Sequence, residues 1–124
     1  IDWPLIRLGE IHLIYAEACM YAGGDASAQV AALAERAGVA APAAIDADFL
    51  MAERARELMW EAHRRTDLIR YGLYHSADYM WPYKGSDAST GRAFAEYMTV
   101  FAIPPTELAA NDELYQNYGY PRAK

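Results

Sequence analysis

Cysteine occurs once among 124 residues, at Cys19, so no internal disulfide can close. The three histidines form no Cys/His cluster at metal-ligand spacing, which removes a structural metal from consideration. The fold must therefore rest on packing, and a chain of this length is one domain that hides about two-thirds of the surface its unfolded form exposes. Positive charge is scarce as well: 11 Lys+Arg stand against 17 Asp+Glu, a net charge of -6. Without clustered cations to neutralise phosphates, nucleic acid is excluded as a partner. No run of about 18 apolar residues is present to span a bilayer. The chain opens Ile1-Asp2-Trp3-Pro4 with neither an initiator Met nor a signal-type segment, and is expected to be a piece of a longer protein. Also missing are a nucleophile elbow, a phosphate-cradling glycine loop and a Rossmann fingerprint. Glu61-Ala62-His63 lacks the second histidine four residues away that a zinc-protease helix needs. No catalytic residue, cofactor or metal is expected.

What is present is alanine, 25 residues concentrated before position 63, and alanine is the best helix former. Leu5, Leu8, Ile11, His12, Tyr15, Ala18 and Cys19 recur at helical steps after Pro4, a residue suited to a first turn, and predict a helix over roughly 4–22. Ile6, Leu13 and Met20 add a second apolar line, so this helix should be buried on most sides. His12 then reads as a satisfied core histidine, and Cys19, with no base or cation near it in sequence, as an inert thiol. Gly23-Gly24 stops the helix; Asp25 or Ser27 can cap a second one through Val30, Leu33 and Ala34 to Gly38, giving an antiparallel hairpin. After the link 39–44, Asp46 or Asp48 can cap a long third helix reaching Gly72. The stretch 73–100 is rich in rings and has no clean period, with a short helix expected within 92–98. The segment 101–124 should dock as a tail, because Phe101, Ile103, Leu108, Leu114, Tyr115, Tyr118 and Tyr120 are too many apolar groups to leave in water. Thr99 to Phe101 should be extended, and Pro104-Pro105 should open a short helix through Leu108. The fold class is all-α: one helical hairpin, a long third helix and an irregular C-terminal segment.

Two patterns carry candidate function. The third helix bears Glu53, Arg54, Arg56, Glu57, Glu61, His63, Arg64, Arg65, Asp67 and Arg70, with Arg54/Glu57, Arg64/Asp67 and Asp67/Arg70 three apart, so opposite charges face each other along it. Either these form a carboxylate or proton-transfer site, or Arg54, Glu57, Glu61, Arg64, Asp67 and Arg70 form a structural ion-pair network; the second reading is preferred, since such networks perturb pKa values without doing chemistry. The other pattern is Tyr79-x-Trp81-Pro82-Tyr83 with Lys84, Ser86 and Asp87. Flat rings beside short polar groups suit a sugar, whose C–H face lies on a ring while its hydroxyls find partners. The same composition suits a protein interface or rings packed on their own domain. If Pro82 holds Trp81 extended, Tyr79, Trp81 and Tyr83 alternate onto one side and line a platform.

The order of segments resembles a known family. Ile6-Arg7-Leu8-Gly9-Glu10-Ile11-His12-Leu13-Ile14-Tyr15-Ala16-Glu17-Ala18, then Ala34-Glu35-Arg36-Ala37-Gly38, then Glu53 to Leu58 and Arg64 to Gly72, then Phe101-Ala102-Ile103-Pro104 and Gln116-Asn117-Tyr118-Gly119-Tyr120 together are similar to the C-terminal portion of the SusD/RagB family. The resemblance implies a non-enzymatic, surface-exposed outer-membrane lipoprotein on tetratricopeptide-like hairpins. Such a protein would capture oligosaccharide or another nutrient for a TonB-dependent transporter of the SusC type, touching the membrane only through a lipid anchor outside this chain. Family members favour Gly where this chain has Ala62, and Pro where it has Ala102 and Tyr118.

Overall fold

The structure is a computed structural model that describes residues 5–86 and 89–121, Ser86 by its backbone alone. The described residues contain helices and no strand, and the chain divides into two compact units, Ile1–Asp67 and Leu68–Lys124. In the first unit α1 (Leu8–Ala22) and α2 (Ser27–Ala37) form the hairpin, and α3 (Ala47–Glu57) also packs on α1. Helix α1 begins later than its apolar spacing suggests: Arg7 is extended at φ -137°, and Pro4 lies outside the described residues. It ends at Gly23, whose φ of 73° is the left-handed turn that glycine adopts without strain. Ala26 occupies the N-cap position of α2 and makes no side-chain capping bond; of the two expected residues it is Asp25 whose carboxylate accepts the first helical N–H, that of Ser27 (2.9 Å), together with the Ser27 hydroxyl (2.6 Å). Asp46 caps α3 by accepting the Phe49 N–H at 2.8 Å.

The core of this unit is small and apolar. Leu13, Ala16 and Cys19, three residues apart on α1, meet Ala26, Val30 and Leu33 from α2 and its approach and Leu50 from α3; Met20, Ile45 and Phe49 close its edge. Only that stripe of α1 is buried within the chain. Leu8, Ile11, Ile14, Tyr15 and Tyr21 remain exposed, so the expectation of burial on most sides does not hold for the described residues. Between the first two helices, His12 Nδ1 sits 3.1 Å from the Gln29 carbonyl, a satisfied ring rather than a ligand.

The third helix is not continuous. It stops at Glu57, turns through 58–63, and resumes as α4 (Arg64–Arg70). Every residue in the break except His63 is a fair to good helix former, so propensity does not account for it. Tertiary pairing does. In an unbroken helix, residues 54 and 67 would stand about 20 Å apart along the axis, whereas here Arg54 Nε lies 2.9 Å from Asp67 Oδ1. Trp60 (φ 69°) and Ala62 (φ 62°) make the turn in the left-handed region that costs an L-residue about 1–2 kcal/mol. Ala62→Gly is therefore expected to raise stability by about 1 kcal/mol, offset in part by greater freedom of the unfolded chain; denaturant titration measures it, and a loss of stability would contradict the assigned backbone.

The second unit holds the end of α4, a ring-rich loop, a 3-10 turn at Lys84–Ser86, a second at Glu96–Thr99, and α5 (Pro105–Ala110). The short helix expected within 92–98 is thus a single 3-10 turn. Thr99 belongs to that turn and Val100 is extended. The tail over 101–120 is tied by polar clamps more than by burial. The Gln116 amide bonds both the N–H (2.8 Å) and the carbonyl (2.9 Å) of Ile103, Asn117 Nδ2 donates to Phe101 O at 2.8 Å, and the Tyr120 hydroxyl donates to Val100 O at 2.7 Å. Phe101, Tyr115 and Tyr118 stay exposed, contrary to the expectation that the tail's apolar groups leave water.

Candidate functional site

The charged residues of the first unit assemble around Arg7, at the start of α1. Arg7 Nε donates to both oxygens of Glu61 (2.8 and 2.9 Å), its Nη1 to Glu57 Oε1 (2.6 Å) and its Nη2 to the Glu57 carbonyl. Arg36 of α2 takes the other Glu57 oxygen. Gly9 permits the crossing, since a Cβ there would come within 2.6 Å of Arg7 Nη1. Deeper in, Arg54 pairs with Asp67 and reaches toward Glu10 at 3.9 Å, while His63 stands 3.7 Å from the same Glu10 oxygen. Arg54 Nη1 is buried without a hydrogen-bond partner among the described residues, and the Arg54–Asp67 contact is a close ion pair without an aligned Nε–H bond. Arg64 donates to the Met51 carbonyl at 3.1 Å, and the Arg70 guanidinium lies over the Tyr71 ring.

Of the six charged residues singled out in the sequence, the structure joins Arg54 to Asp67 and gathers Glu57 with Glu61 on Arg7, a residue outside that set. The pairings of Arg7, Arg36, Glu10 and His63 left no local signal, because they span elements while three- and four-residue spacing reports only one helix. Chemically, these are carboxylates clamped by guanidinium groups. A general acid needs a raised pKa, and Glu61 moves the other way: hydrogen bonding to Arg7, more than the opposing burial, holds its carboxyl below the ordinary 4.5. The same pairing raises the Arg7 guanidinium. A depressed native value means that Glu61 stabilises the fold above about pH 4.5 and loses that effect as pH falls through the depressed value. Acid is thus expected to lower the melting midpoint less steeply in Glu61→Gln than in the unaltered protein; superimposable profiles would remove Glu61 from the acid response.

In the second unit, the rings occupy a folded loop rather than an extended run. The Lys84 N–H bonds the Trp81 carbonyl at 3.1 Å, so Trp81-Pro82-Tyr83-Lys84 is a tight turn with proline second and positive φ (63°) third, the arrangement of a type II turn. The alternation that would have put Tyr79, Trp81 and Tyr83 on one side is broken there. Tyr79 and Trp81 still meet edge to face at 6.0 Å, while the Tyr83 ring, 67% exposed, pairs with no other ring among the described residues. Trp81 is about one-third exposed, with Phe94 at 6.5 Å and Phe94 itself stacked on Tyr74 at 4.6 Å. Lys84, read from the sequence as a polar group beside the rings, is buried. Asp87 and the Ser86 side chain lie outside the described residues.

The SusD family profile (SusD_RagB) matches residues 1–120. The chain is 37% identical over 120 residues to the starch-binding protein SusD of Bacteroides thetaiotaomicron, covering 96% of this chain and 22% of that protein. It is also similar in structure to surface glycan-binding protein A from Bacteroides thetaiotaomicron, with a TM-score of 0.78, 25% identity, and coverage of 94% of this chain and 24% of that one. The chain thus spans under a quarter of the length of either relative.

Proposed function

The chain belongs to the SusD family, and from that premise we propose that it is part of a non-catalytic glycan-binding protein of the bacterial cell surface, with Tyr79, Trp81 and Tyr83 contacting sugar. The two similar proteins, one starch-binding and one surface glycan-binding by name, support the class of ligand. One observation carries the site: Tyr83 holds an exposed ring at a left-handed position where a type II turn favours glycine. Strain in an exposed loop residue points to a task for its side chain. Delivery of oligosaccharide to a SusC-like TonB-dependent transporter in the outer membrane completes the proposal. No described helix is long and apolar enough to cross a membrane.

Titration calorimetry of the intact protein with neutral oligosaccharides, beginning with maltoheptaose, tests the site. Trp81→Ala is expected to weaken binding at least tenfold, and Tyr83→Gly to weaken binding while raising stability, the exchange of function for strain relief that such a position implies. Equal affinities in all three proteins would remove the loop from glycan binding. A second reading, a helical scaffold that binds only protein, is favoured by Trp60, which is exposed, left-handed and next to exposed Met59. It requires that no oligosaccharide bind and that Trp60→Ala abolish a protein contact.

A further inference from the structure

We infer that Lys84 is the positioning residue of the ring loop: its buried ammonium gathers three carbonyls of the loop to one point and so fixes Trp81 for its ligand. The inference rests on the glycan reading above and adds what holds that site in shape. Lys84 is 1% exposed. Its Nζ donates to Tyr79 O at 2.5 Å, Ser76 O at 2.9 Å and Leu73 O at 3.5 Å, and lies 4.8 Å from the centre of the Trp81 ring and 5.9 Å from that of Phe94. An ammonium has three protons; here two backbone oxygens lie at full hydrogen-bond distance and the third, Leu73 O, at a longer 3.5 Å. At 1% exposure the ammonium is out of a sugar's reach, so Lys84 acts on a ligand only through what it holds.

A buried cation is costly unless paired and hydrogen-bonded, and no carboxylate pairs with Lys84 among the described residues. Burial pushes its pKa below the ordinary lysine value. What offsets that loss of water is the carbonyl cradle together with the two ring faces, interactions that strengthen where solvent is excluded. A methionine of similar length would fill the space at no desolvation cost, yet would leave three converging carbonyls without a donor. The backbone of the same residue ties the loop twice more, through Lys84 N to Trp81 O at 3.1 Å and Arg92 N to Lys84 O at 2.9 Å. One residue therefore connects positions 73, 76, 79, 81 and 92. A loop ordered beforehand does not have to be ordered by its ligand, which is how preorganisation raises affinity.

The test compares the intact protein with Lys84→Met and Lys84→Gln by amide hydrogen exchange and by calorimetric titration with maltoheptaose, with Trp81→Ala beside them. Lys84→Met is expected to lose at least tenfold of exchange protection at amides within 73–94, to leave α1 to α3 protected, and to bind maltoheptaose at least tenfold more weakly with a less favourable entropy. If Lys84→Met fails to fold, Lys84→Gln, which keeps two donors, is read by the same criteria. Unchanged protection in 73–94 overturns the inference. So does an unchanged maltoheptaose affinity in a variant whose loop is released, provided that Trp81→Ala weakens binding. If protection is lost while the unaltered protein and Trp81→Ala bind the sugar equally, the glycan reading of the loop fails and Lys84 stands as the residue that orders it.

Discussion

Replacing Asp67 by alanine is expected to destabilise the protein by about 3–5 kcal/mol, the loss typical when one partner of a buried ion pair is removed. Asp67 is 2% exposed and Arg54 5% exposed, so the arginine left behind has no access to water. With one of its Nη groups already without a hydrogen bond, Arg54 would keep only Glu10, at 3.9 Å, as a charged partner. At this chain length the change should lower the melting midpoint by more than about 10 °C. The double change Arg54→Met with Asp67→Leu should recover much of that loss, because an apolar pair needs no desolvation. The exposed Arg56–Glu53 pair is the internal control, and Glu53→Ala should matter by about 1 kcal/mol or less. Equal effects of Asp67→Ala and Glu53→Ala would show that the Arg54–Asp67 pair does not hold the break between α3 and α4 in place.

Gly91→Val should disrupt the second unit as strongly as Asp67→Ala disrupts the first. Gly91 has φ 71°, and a Cβ there would stand 2.5 Å from the Trp81 carbonyl oxygen and 2.9 Å from Lys84 Cβ. A β-branched residue is poorly suited to positive φ, and the strain alone costs about 1–3 kcal/mol. The overlap adds to it, since the atoms that must yield are backbone and the stem of a buried lysine. The expected result is loss of exchange protection throughout 73–94, loss of the Trp81–Lys84 contact, and weakened oligosaccharide binding. Retained protection there would place the chain at 91 further from the turn at 81–84 than this structure has it.

The helical hairpin and the start of α3 were legible in the sequence because alanine content, the glycine stops and the Asp46 cap are local signals, each acting within a few residues. The break at 58–63 was not, since local propensity favours helix through it and the competing pull comes from Arg7, Arg36 and Arg54 pairing across elements. The single hint lay at Ala62, where the family favours glycine: a glycine requirement is a backbone requirement, and the left-handed φ found there is its cause. At the ring loop the composition was legible and the geometry was not. Pro82 was read for its effect on the residue before it, whereas its place as second residue of a type II turn decides where Tyr83 points. Lys84 was read as a polar group beside the rings, and only the convergence of three carbonyls shows why it is buried, where most lysines are exposed.

The most direct test follows the indole N–H resonances of the intact, nitrogen-15-labelled protein by NMR while maltoheptaose and other neutral oligosaccharides are added. Trp81 and Trp60 lie in different units and report separately. The account predicts that the Trp81 indole signal shifts progressively and saturates with the glycan that binds, while the Trp60 signal stays in place. Saturable binding that leaves the Trp81 signal unmoved would contradict it.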